Sequence, residues 1–264
     1  LYLKKPLLEV IFASEKRKKV LLLLRDGAKE MEALLMSLDT TRQALLPQVR
    51  ILEEHHLVSH DKDVYELTTI GKLVVYKMNP LLDTLGIFDE DIDYWGTRDL
   101  DFIPLHLLKK INELGLCKVV AAVSTVELCE PSKQAVENAK KSNTQVSVTT
   151  FLFPNFTSIL EDFKDQGVKM WLVVSEELLT KIKEGQNERL KILLRSEHNK
   201  LHLYPKKMGF MSFGHNDFSF MMRIFNKTGT YDHKYVFSDS PSALIWAKEL
   251  FEHYFRESIP VTDI

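Results

Sequence analysis

An α+β chain is predicted: an N-terminal winged helix-turn-helix, then an α/β domain that ends in an antiparallel meander. Three observations predict it. Leu45, Val49 and Leu52 form an apolar stripe at i, i+4, i+7, followed at once by two short strand-like runs about a polar turn. Between Leu116 and Tyr204, apolar runs of strand length alternate with helical ones. From Gly209 to Phe237 three strand-like runs follow one another with only short turns between them.

The composition sets the bounds. With 264 residues, 45% of them hydrophobic, the chain is long enough for more than one core. Charged residues make up 27% and the formal net charge is −2, so neither disorder over the whole length nor a strongly basic nucleic-acid binder is indicated. No apolar run reaches the roughly 18–20 residues of a membrane span, and no secretory signal is visible. Cys117 and Cys129 lie in no CxxC pair and read as two buried thiols, which points to a reducing compartment, the cytoplasm. The expected division is 1–82, a winged helix-turn-helix; 83–115, an acidic connection and linker helix; and 116–264, an α/β regulatory domain.

Taken in order, Leu7–Ala13 is a short apolar helix, and Ser14 caps a second helix over Glu15–Arg25, ended by Gly27. Met31–Leu38 is the first helix of the helix-turn-helix, with Leu34, Leu35 and Leu38 inward. Thr40 and Gln43 have the spacing of a capping box, which starts the next helix at Thr40. Pro47, one turn in, implies a mild kink. Leu57–His60 and Val64–Thr68 form a hairpin about Asp61-Lys62-Asp63. A further helix from Leu73 ends at Asn79-Pro80. Asp83–Asp101 is acidic and short of periodicity, and it reads as the connection, anchored by Tyr94 and Trp95.

Pro104 starts a helix over Leu105–Leu114, stopped by Gly115, and Leu116–Val123 is a buried strand. Helices over Pro131–Lys140, Phe156–Asp165, Glu176–Glu184 and Asn187–Leu194 alternate with strands Val146–Phe153, Val168–Val174 and Leu201–Tyr204. The meander strands are Gly209–Phe213, Asp217–Phe225 and Tyr231–Phe237. Ser240-Pro241 supplies N-cap and N1 of a last helix, whose Leu244, Ala247, Leu250, Phe251 and Tyr254 face inward.

Several constellations carry chemistry. A protruding helix with Thr40, Thr41, Arg42, Gln43, Leu46, Pro47 and Arg50 off its apolar stripe meets what reading base edges in double-stranded DNA requires, with Lys62 at the wing tip for a phosphate or the minor groove. Lys16-Arg17-Lys18-Lys19 adds backbone contacts. The alternative is a winged-helix protein-interaction module without sequence-specific DNA binding. His55, His56 and His60 sit near one another but on different sides of a helix end, which argues against zinc. The α/β domain is similar to the phospholipase D-like fold, and His198-Asn199-Lys200 matches its HxK pattern, but no Asp follows at the required place. There is no GxGxxG and no P-loop, so no enzyme, cofactor or metal is expected. A sensor pocket in the aromatic-rich second domain is expected near the strand ends at Ser124, Thr125, His215, Asn216, Asp217 and Arg223.

Longer stretches carry a resemblance. LLMSLDTTRQALLPQVRILEEHHLV (34–58) and YELTTIGK (65–72) resemble ArsR-type winged-helix regulators of archaea. DYWGTRDLDFIPLHLL (93–108), NDFSFMMRIFNKTGTYD (216–232) and SALIWAKELFEHYF (242–255) resemble the effector domain of the methanogenesis regulatory protein family. The resemblance implies a dimeric archaeal DNA-binding regulator whose second domain senses a small molecule or a protein, and no membrane partner. The cysteine pair of ArsR metal sensors has no counterpart, because 31–50 contains neither Cys nor His.

Overall fold

The computed structural model describes residues 4–122 and 130–264. The chain divides into two compact units, Leu1–Leu82 and Asp83–Ile264. No helix among the described residues is long and apolar enough to cross a membrane.

The first unit contains α1 (Leu7–Phe12), α2 (Glu15–Leu23), β1 (Lys29–Glu30), α3 (Met31–Leu38), α4 (Arg42–Glu54), β2 (Val58–Asp61) and β3 (Val64–Leu67). The three strands form an antiparallel sheet in the order β1-β3-β2, which gives the element order of a winged helix. The stripe Leu45, Val49 and Leu52 is fully buried, against Leu21, Leu34 and Leu57. Ser14 caps α2 by accepting from the Arg17 amide. Pro47 lies inside an unbroken α4.

Two local expectations are corrected. No capping box forms: Asp39 closes α3 in the left-handed region (φ 45°), and the N-cap of α4 is Thr41, whose side chain caps nothing. The Thr40 amide is instead spent on the Leu35 carbonyl at the end of α3. The next helix, α5 (Thr69–Asp89), does not stop at Asn79-Pro80 but runs through it. The Pro80 ring removes the bond to the Tyr76 carbonyl, and both residues are exposed, so water can serve that carbonyl in its place.

The second unit is a mixed sheet between two helical layers. It holds α6 (Ile92–Gly96), α7 (Leu105–Leu108), β4 (Lys118–Ala121), α8 (Lys133–Lys140), β5 (Thr144–Thr149), α9 (Phe156–Asp165), β6 (Lys169–Ser175), α10 (Glu176–Glu184), α11 (Glu188–Leu194), β7 (Lys200–Tyr204), β8 (Ser212–His215), β9 (Phe220–Arg223), β10 (Lys234–Ser238), α12 (Pro241–Arg256) and β11 (Ile259–Pro260). The strand order among the described residues is β11-β7-β6-β5-β8-β9-β10-β4. β5, β6 and β7 run parallel, and β8, β9, β10 and β4 are added antiparallel.

Strand alternation sorts the two faces. Val146, Val148, Val173, Phe213, Phe220 and Met222 join α12 and Ile87–Leu114 in one core. Met170, Leu172 and Val174 join α9, α10 and α11 in another. Ser240 caps α12 by accepting from the Ala243 amide, with Pro241 at N1. Leu105–Leu114 is not one helix: α7 stops at Leu108, and a 3-10 turn follows over Ile111–Leu114. The Leu107 carbonyl accepts from the Lys110 amide and from Trp246 Nε1, both at 3.0 Å, where a continuing α-helix would offer it to Ile111.

Candidate functional site

Two surfaces hold the side chains singled out in the sequence. In the first unit, Thr41, Arg42, Gln43, Pro47 and Arg50 are all exposed along one side of α4. Leu46 is not among them: it is partly buried and packed on the core. Thr40 precedes the helix and is half-buried. Lys62 is exposed in the two-residue turn between β2 and β3, at φ 54°, a left-handed conformation that an unbranched side chain tolerates only at a cost. Arg42 donates to the Asp63 carboxylate in the same turn, through Nη1 at 3.1 Å and through Nη2. Asp63 thereby raises the Arg42 pKa above its usual value.

The basic run on α2 is divided. Arg17 turns inward, donating to the Val10 carbonyl and to Gln48 Oε1 at 2.8 Å, so it ties α1 and α4 to α2. Lys18 pairs with Glu15 at 2.6 Å, and Lys19 is exposed. Of the histidines, His60 pairs with Glu53 and stacks on Tyr65, and His55 Nδ1 meets the Ile51 carbonyl. Neither the histidines nor any other His, Cys, Asp and Glu gather into a metal-holding group among the described residues.

In the second unit a pocket of about 130 Å³ opens over β5, β8 and β9, on the face opposite α12. The chain builds it by leaving the sheet at Thr149. The Thr149 hydroxyl donates to the Phe151 carbonyl at 2.6 Å and accepts from the Phe151 amide at 3.2 Å. That turn ends β5 four residues earlier than the alternation suggests and folds Phe151, Leu152 and Phe153 into the pocket wall. Phe156, Ile159, Met170 and Leu172 complete an apolar lining.

Of the expected sensor residues, Asn216 and Arg223 line this pocket. Asn216 is buried and spent on the hairpin: its Oδ1 accepts from the Phe218 and Ser219 amides, and its Nδ2 donates to Gln145. Asp217 accepts from the Asn143 amide at 2.9 Å and from its side chain. His215 alternates to the other face of β8 and meets Phe251 edge-on. Ser124 and Thr125 lie outside the described residues, as does Cys129. Cys117 is buried, and burial pushes its thiol up to about 11.

Arg223 is the polar group that stands out. The Phe153 and Tyr235 rings lie 5.1 and 5.3 Å from its guanidinium, and Nη1 reaches Ser212 Oγ at 3.5 Å. Tyr231 is its other polar partner. Burial holds its pKa below the usual arginine value. The loop that follows β9 grips the segment after α5. Asp232 pairs with Arg98, Lys234 with Asp91 at 2.8 Å, and the Lys227 amide donates to the Thr97 carbonyl at 2.9 Å. Arg98 is itself buried, its guanidinium 3.9 Å from the Tyr94 ring. The HxK residues make no site: His198 is exposed, Asn199 caps Met170 and Leu193, and Lys200 lies 3.7 Å above the Trp171 ring.

Comparisons with known proteins address both units. Residues 5–86 match the N-terminal domain, and residues 128–257 the middle domain, of the methanogenesis regulatory protein FilR1 family. The FilR1 protein of Methanothrix harundinacea (strain 6Ac) is 22% identical over 256 residues. That alignment takes in 95% of this chain and 57% of the relative, so the chain spans little more than half of that protein's length. Among solved structures, TrmBL2, an archaeal chromatin protein described as showing a novel mode of DNA binding, aligns at 14% identity and TM-score 0.44, over 91% of this chain and 92% of its own. A phosphatidylserine synthase of Haemophilus influenzae Rd KW20 aligns at 9% identity and TM-score 0.37, over 56% of this chain and 39% of its own.

Proposed function

Because the chain belongs to the methanogenesis regulatory protein FilR1 family, through both an N-terminal and a middle domain, we propose that it is a transcriptional regulator that binds double-stranded DNA. One observation carries this: α4 presents Thr41, Arg42, Gln43 and Arg50 on its exposed side, directly beside a wing turn that carries Lys62. A helix of that kind presents donors and acceptors to a major groove, and a wing reaches the flanking backbone.

The protein acts as a homodimer in this account. Ile70, Leu73, Tyr76 and Leu81 on α5 are large, apolar and exposed, a surface that a second copy would cover. The second unit acts as the sensory part, with the pocket beside Arg223 as its ligand site. A ligand there shifts operator binding only through unequal affinity for two arrangements of the chain.

A competition assay tests the proposal: a labelled duplex from the protein's own upstream region is held against excess random duplex. Retention of the upstream duplex is expected. Equal displacement by random DNA contradicts specific binding. It favours instead the protein-interaction module, which the pairing of Arg42 with Asp63 and the formal charge of −2 support.

A further inference from the structure

We propose that the pocket beside Arg223 binds a small monocarboxylate, a single carboxylate carried on an apolar body. This deepens the sensory reading of the second unit by naming the class of its ligand.

The charge count carries the inference first. Among the described residues that line the pocket, Arg223 is the one ionisable side chain. It is half-buried and has no carboxylate partner among the described residues, while the buried Arg98 of the same unit is paired with Asp232. A guanidinium drawn partly out of water without a counter-ion is disfavoured, and one negative charge at its N–H groups relieves that cost. A monoanion leaves the pocket neutral, whereas a phosphate dianion would leave a net negative charge among phenylalanines.

Most other polar groups of the wall are already engaged. Thr149 is bonded to Phe151, Ser147 donates to the Phe213 carbonyl at 3.4 Å, and Gln145 joins the Val146 carbonyl to Asn216. Arg223 is left with a long contact to the Ser212 hydroxyl and with the Tyr231 hydroxyl. The guanidinium is a planar fork of donors that matches a carboxylate edge. Beyond it the walls are Phe151, Leu152, Phe156, Ile159, Met170 and Leu172, which suit an alkyl or aryl body and offer nothing to a sugar.

The test is isothermal titration calorimetry on the whole chain, without DNA, so that failure of operator binding leaves its outcome untouched. The probes are the straight-chain carboxylates from acetate to octanoate, 1-hexanol as the uncharged match to hexanoate, and inorganic phosphate. At least one carboxylate is expected to bind with one-to-one stoichiometry, and 1-hexanol to bind roughly tenfold or more weakly than hexanoate. Arg223→Gln is expected to weaken carboxylate binding roughly ten- to hundredfold. Ala135→Trp, which fills the pocket from α8 and leaves Arg223 in place, is expected to abolish it. Four results overturn the proposal: no carboxylate binds, 1-hexanol binds as well as hexanoate, phosphate binds as tightly as the best carboxylate, or both folded variants bind like the parent. The ligand comparison on the parent chain decides the matter if a variant does not fold.

Discussion

Arg42, the first residue of α4, is clamped to Asp63 in the wing turn through both terminal guanidinium nitrogens. The pair fixes the start of the helix against the wing, and it also neutralises the cation at the head of α4. Both side chains are about half exposed, so the pair is open to exchange with a competing phosphate or guanine edge. Asp63→Asn frees Arg42 and is expected to tighten binding to any duplex. Arg42→Ala is expected to weaken specific binding by about 1–3 kcal/mol if Arg42 reads a base. Fluorescence anisotropy with specific and random duplexes measures both, and unchanged affinities in the two variants would remove Arg42 from the interface.

Gly71 lies where the start of α5 passes under the wing. A Cβ there would sit 2.0 Å from the Leu57 carbonyl oxygen, which already accepts from the Thr68 amide at 3.1 Å. Backbone on both sides cannot yield as a side chain would. Gly71→Ala is therefore expected to destabilise the first unit by about 1–3 kcal/mol or more, despite the higher helix propensity of alanine. Urea denaturation read by circular dichroism checks this, and a stabilised variant would contradict the close approach.

Arg98 is buried and pairs with Asp232, while its Nε and Nη1 have no hydrogen-bond partner among the described residues. Removing Asp232 strands the charge. Asp232→Ala is expected to cost about 3 kcal/mol of stability. It is also expected to loosen the grip of the 226–234 loop on Asp91–Arg98, with faster amide exchange at Thr97 and Arg98. Unchanged exchange at those amides would show that the ion pair is not what holds the loop.

Burial lowers the pKa of His202, His215 and His253 below the ordinary histidine value of 6.5. The unfolded chain then binds more protons than the folded one just below that value, so folding stability rises with pH there. Stability is expected to fall as pH drops from about 6.5 toward the depressed folded values. His215 contributes because its Nε2 is buried with no hydrogen-bond partner among the described residues. His215→Gln should flatten the dependence of the urea midpoint between about pH 7.5 and pH 5.5. An equally steep dependence in that variant would assign the effect elsewhere.

The parts of the fold legible in the sequence were those set by local periodicity and caps. The stripe Leu45, Val49 and Leu52, the hairpin about Lys62, and the Ser240-Pro241 start of α12 all depend on neighbours within a few residues. What escaped depended on distant partners. α5 continues past Pro80 because of which residues face water, and α7 stops where the Leu107 carbonyl is shared between Lys110 and Trp246, far along the chain. β5 ends where Thr149 bonds to Phe151, a turn that a run of β-formers conceals. The candidate site was legible to the same degree. Arg223 and Asn216 were singled out by position at strand ends, but which face each takes and which is already spent on a turn are set by sheet register and by the Asn216 hairpin.

The most direct test of DNA binding by α4 and the wing is the salt dependence of the affinity for the upstream duplex, measured for the parent chain and for Arg50→Ala. If the exposed cations meet phosphates, log Kobs falls linearly with log salt concentration, and Arg50→Ala lowers the magnitude of the slope by about 1. A flat salt dependence, identical in the parent and the variant, would contradict the account.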